Sequence, residues 1–79
     1  MKLTPAQIAE LKRLAVEPQP TYGAGRARVQ NNLYYRFRLV RFLNMDGNVI
    51  APHVYGLNAG ADRCEITDEG RAALRALEG

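Results

Sequence analysis

Apolar and polar residues recur along this chain with two different periods, and the changes of period mark its elements. In the first segment Ile8, Leu11, Leu14 and Ala15 return at helical spacing, with Glu10, Lys12 and Arg13 expected to face outward. Thr4 suits an N-cap, Pro5 the first helical position and Gln7 the third, where its side chain closes a capping box. Leu3 and Ile8 bracket that start at the spacing of a hydrophobic staple. Pro18 and Pro20 end the pattern, so a helix is expected from about Pro5 to Val16.

Thr21 to Gly25 holds two glycines and reads as a turn-rich joint, with a short extra turn of helix around Tyr22 to Ala24 as its other candidate element. Beyond it Val29, Leu33 and Phe37 fall four apart, with Arg26, Asn32 and Arg36 off that line, which predicts a second helix from Arg26 to about Phe37. From Leu39 the period becomes two. Leu39, Arg41 and Leu43 alternate with Val40, Phe42 and Asn44, as in a strand. Asp46-Gly47-Asn48 offers a tight hairpin turn, and Val49 to Tyr55 is β-prone, with Pro52 arguing for a sheet edge. A flexible connection runs from Gly56 to Asp62, and Arg63 to Ile66 is a short strand. Thr67 then caps a last helix whose first turn holds Asp68 and Glu69, matched in sign to the helix dipole. Ala72, Leu74 and Leu77 are its expected buried side, with Ala73 and Ala76 keeping the packing slim.

The sum is an α+β fold of helices packed on a two- or three-stranded antiparallel ribbon. At 79 residues it forms one domain with one small core. A chain of this size buries only about 60% of the surface its unfolded form exposes, so modest stability is expected. A single cysteine, Cys64, excludes an internal disulfide, and with His53 as the lone histidine no zinc set is available. These features suit a reducing cytoplasm. No apolar run approaches the roughly 18 residues of a membrane span. The N-terminal residues lack an apolar signal region, so no secretory leader is expected.

Charge changes the picture more than size does. The net charge is only +3, yet Arg26, Arg28, Arg36, Arg38 and Arg41 lie between Pro18 and Met45, where no acid occurs. Tyr22, Tyr34, Tyr35, Phe37 and Phe42 are interleaved with them, and all eight acids lie elsewhere. Such segregation gives a one-sided field that a polyanion would feel, although a run of charge on a helix is usually just a solvated face.

Other candidate chemistry is sparse. His53 lacks an acid or cysteine at ligand spacing and reads as a surface residue. Cys64, in an alternating strand, reads as a small buried hydrophobe. Tyr34 and Tyr35 are suited to stacking on bases, but at a helix end at least one is expected to complete the core. Tyr55 is a candidate wing or partner contact. No carboxylate pair, phosphate-cradling loop or triad is present, so neither catalysis nor a cofactor is expected.

Three segments resemble the small winged helix-turn-helix domains of bacteria and phages. Ile66-Thr67-Asp68-Glu69-Gly70-Arg71-Ala72-Ala73-Leu74 is similar to the strand-to-helix junction that follows their wing. Thr4-Pro5-Ala6-Gln7 resembles their opening helix, and Leu33 through Phe42 the end of their recognition helix and first wing strand. The resemblance implies a recognition helix over Arg26 to Arg36. Arg26, Arg28, Gln30, Asn31 and Asn32 would then lie toward base edges, and Arg36, Arg38 and Arg41 toward phosphates. Tyr35 joins this candidate set. Where the family usually has glycine ahead of its Leu-Val pair this chain has Arg38. Arginine is penalised at positive φ, so either the turn is built differently or the helix runs on toward Leu39. The implied partner is double-stranded DNA, bound by a transcriptional regulator of phage or prophage type, with a homodimer on two half-sites as a candidate state. The rival is a winged-helix scaffold, such as an anti-CRISPR-like inhibitor or adaptor, docking on a host protein or nucleoprotein complex.

Overall fold

The computed structural model describes residues 2–21, 26–51 and 61–78. The proposed extra helical turn at Tyr22 to Ala24, the edge-strand reading of Pro52 to Tyr55 with His53, and most of the following connection lie outside the described residues.

Helix α1 spans Pro5–Val16, and its start follows from its first residues. The Gln7 N–H donates to Thr4 Oγ1 at 3.2 Å, and the Thr4 N–H donates to Gln7 Oε1 at 2.9 Å, so two otherwise unpaired donors are satisfied reciprocally. At its other end Arg71 Nη1 donates to the Ala15 oxygen at 3.3 Å and Gln19 Nε2 to the Glu17 oxygen at 3.3 Å. Strand β1, Gln19–Pro20, follows directly, and helix α2 covers Arg26–Phe37. Strands β2 (Val40–Leu43), β3 (Val49–Ile50) and β4 (Arg63–Ile66) lead into helix α3, Asp68–Glu78.

The strands form one antiparallel sheet of four, in the order β1-β4-β2-β3. This corrects the expected ribbon of two or three strands. The additional strand is β1, which aligns Gln19 with Cys64 and Pro20 with Arg63. Proline at position 20 is tolerated because β1 is an edge strand. Between β2 and β4 the register sets Val40 opposite Ile66 and Phe42 opposite Cys64, all four buried, with Arg41 opposite Glu65 on the other face. The hairpin between β2 and β3 turns at Gly47, whose φ of 83° suits a residue without a Cβ. Asn44 Oδ1 accepts from the N–H groups of Asp46 and Asn48 and so organises the turn.

The helices cover the face of Val40, Phe42, Cys64 and Ile66, with Leu11, Leu14, Leu33, Leu39 and Leu74 completing the core. Helix α1 packs against both other helices and against β4. Two expectations about helix faces are corrected. Leu74 is buried as expected, but Ala72 and Leu77 are exposed and Gly70 is the other buried residue of α3. Glu10, expected outside, is only 4% exposed.

The end of α2 resolves the question posed by Arg38. The helix neither runs on nor builds a different turn: Arg38 itself adopts φ 57°. Its N–H donates to the Tyr34 carbonyl at 3.0 Å, and the Leu39 N–H to the Leu33 carbonyl at 3.1 Å, which closes the helix through a left-handed residue. Helix α3 docks on this closure. The Thr67 N–H donates to the Leu39 oxygen at 3.0 Å and its hydroxyl to the Arg38 oxygen at 3.2 Å. That hydroxyl also accepts from the Gly70 N–H at 3.0 Å as the cap of α3.

Candidate nucleic-acid interface

Helix α2 supplies most of the candidate residues, and its two sides do different work. At roughly 100° per residue, positions 28, 32, 35 and 36 share one side, whereas 26, 30, 33 and 37 share the opposite one. Burial follows this division. Arg28, Asn32, Tyr35 and Arg36 are exposed, Gln30 and Leu33 are fully buried, and Phe37 is half-buried against the core.

Gln30 is therefore an interior residue, not one that faces base edges. Its Nε2 donates to Glu10 Oε2 at 2.9 Å and to the Pro20 carbonyl at 3.0 Å, so one amide ties together α1, β1 and α2. Arg26 belongs to the same junction, with its Nε 4.0 Å from Glu10 Oε1, and Arg13 lies 3.6 Å from that oxygen. Two guanidinium groups and an amide thus surround one buried carboxylate, which a buried charge requires. Asn31 is also buried, at 9% exposure. Where the sequence reading set Arg26, Gln30 and Asn31 toward base edges, Gln30 and Asn31 are buried and Arg26 is part-buried beside Glu10. A signal was present: Gln7, Glu10, Leu11 and Leu14 share one helical stripe, as do Arg26, Gln30, Leu33 and Phe37. Polar members of an apolar stripe face one another across the helix interface.

Two further arginines have partners on the protein. Arg41, expected at phosphates, forms an ion pair with Glu65 across the β2–β4 ladder. Arg38 is exposed, and its guanidinium carbon lies 4.3 Å from the centre of the Tyr34 ring. Tyr34 in turn meets Tyr35 edge-on, with centroids 5.1 Å apart, and Phe42 at 5.7 Å. Tyr34 is thus the core-packed member of the tyrosine pair, while Tyr35 keeps 45% of its surface exposed.

Arg28 and Arg36 remain. They stand two helical turns apart on the exposed side of α2 with Asn32 and Tyr35 between them, and neither forms an ion pair among the described residues. Such a surface offers two planar hydrogen-bonding forks, an amide and an aromatic ring.

Cys64 is fully buried and its thiol is pushed well above its ordinary value, first by burial and then by the charges of Glu10 and Glu65. It is correspondingly a poor nucleophile. Among the described residues no group of three or more His, Cys, Asp or Glu stands together to hold a metal, and no helix is long and apolar enough to cross a membrane. No protein-family model matches the chain, and neither a curated protein nor a solved structure does so.

Proposed function

We propose that this protein binds double-stranded DNA as a small winged-helix regulator of phage or prophage type, using the exposed side of α2. The observation that carries the reading is the pair Arg28 and Arg36 on one open helix face, with Asn32 and Tyr35 between them and no carboxylate paired to either among the described residues. Arginine suits guanine edges and phosphates, and asparagine suits adenine. Two features add support. Helix α2 leads through a tight closure into an antiparallel ribbon, as a recognition helix leads into a wing, and the acids Asp68 and Glu69 stand on a different helix.

The reading is tested by replacing Arg28 and Arg36 together with alanine. Both side chains are exposed, so the fold should persist by circular dichroism, whereas fluorescence anisotropy should show duplex affinity reduced by roughly tenfold or more. Unchanged affinity in a folded double variant would sink it.

A second reading is that the same scaffold docks on a protein, as an inhibitor or adaptor would. Two observations favour it: two of the five clustered arginines are already paired with Glu10 and Glu65, and the β2–β3 hairpin exposes Met45 at 84% and Val49 at 62%. A wild-type chain without duplex affinity at low salt would favour this reading.

A further inference from the structure

The backbone at position 38 calls for glycine, yet the residue is arginine. A φ of 57° is one that L-residues other than glycine adopt at a steric cost. Everything the turn needs from this residue is backbone: an N–H given to the Tyr34 carbonyl and a C=O accepting from Thr67. Glycine would supply both. The helix closure therefore does not explain the side chain, and a strained position occupied by a long charged residue points to a use for that residue.

The geometry around the guanidinium suggests the use. It stacks on the Tyr34 ring at 4.3 Å, and Tyr34 is itself braced against Phe42. A guanidinium held by its face keeps its N–H groups, which lie in its plane, available to an incoming pair of oxygens. Arg26 and Arg41 are matched with carboxylates, whereas Arg38 has no ion pair among the described residues, although Asp68 and Glu69 open the adjoining helix. Arg36, on the exposed side of α2, is two residues away.

We infer that Arg38 is a phosphate-binding residue, preorganised on Tyr34, that takes two non-bridging oxygens of a nucleic-acid backbone phosphodiester where α2 ends. The inference rests on the duplex-binding reading and deepens it. Arg28 and Arg36 lie along the helix, while Arg38 anchors its end and fixes the angle at which the helix meets the duplex.

The test compares wild type, Arg38→Gly and Arg38→Lys by anisotropy on one mixed-sequence duplex at several salt concentrations, with melting temperatures recorded alongside. Arg38→Gly should melt no lower than wild type, because glycine suits the left-handed turn. It should bind roughly tenfold more weakly at about 0.1 M salt, and its salt slope should fall by about one. Arg38→Lys should keep most of the slope but lose affinity, since lysine keeps the charge without the planar fork. An Arg38→Gly protein with wild-type affinity and slope overturns the inference and leaves the reading of Arg28 and Arg36 intact. A clear drop in its melting temperature would make the arginine structural and also overturn it. Absence of duplex binding by the wild type sinks both.

Discussion

A Cβ added at Gly70 would lie 2.2 Å from the Leu39 carbonyl oxygen and 2.6 Å from Ile66 Cγ1. The first of these is backbone and carries the bond from Thr67, so it cannot move without unseating α3 from the closure of α2. Gly70→Ala should therefore destabilise by about 3 kcal/mol or more, despite alanine's better helix propensity. Urea denaturation measures this, and a loss below about 1 kcal/mol would show that α3 can shift at little cost. Cys64 gives a pH-dependent prediction. Its thiol is raised in the folded state from an ordinary value near 9, so the folded chain holds its proton where the unfolded chain releases it. That contribution is complete below about pH 9 and declines as the pH rises further. Stability measured against Cys64→Ala should show the difference shrinking above pH 9, and a difference that stays level would contradict it. The role of Cys64 was legible in the sequence, because alternation in a strand decides which side is inward, and the helix-end position of Tyr34 and Tyr35 told that one would join the core but not which. The left-handed arginine was not, because a positive φ on arginine opposes its local preference, and the bonds from Thr67 to this turn join residues far apart in the chain.

At the scale of elements, Gln30 distinguishes the structure from the pattern of the sequence most clearly. Its hydrogen bonds to Glu10 and Pro20 join three elements in the interior. Replacement by leucine should cost about 2–3 kcal/mol, because the buried Glu10 carboxylate and the part-buried Pro20 carbonyl each lose a donor. Duplex affinity per folded molecule should stay at the wild-type level. A stable Gln30→Leu protein that bound DNA poorly would restore the base-reading role and contradict this assignment. The ends of α1 were readable, since its cap and the prolines that follow it are local signals, whereas α2 was placed only by the spacing of its apolar residues and its closure at Arg38 was left open. Strand β1 was not readable. Two residues ending in proline carry no alternation, and only pairing with β4 makes them a strand. The inward turn of Glu10, Arg26 and Gln30 escaped for a related reason. Each is an exposed residue by type, and its burial depends on a partner twenty or so positions away in the chain.

Over the whole molecule, the segregation of charge seen in the sequence is partly spent within the fold. Arg26 neutralises Glu10 and Arg41 faces Glu65, and an exposed pair of the latter kind contributes at most about 1 kcal/mol. What stays open is Arg28, Arg36 and Arg38 along one side and the end of α2, and this fixes the size of the electrostatic effect. With each of the three neutralising a phosphate, the log–log salt slope is about −2.7. The most direct test is the affinity of the unmodified chain for a duplex between 50 and 200 mM salt. The account predicts measurable binding at the lower concentration that weakens roughly 40-fold at the higher one. Binding that ignores salt, or none at 50 mM, would contradict it.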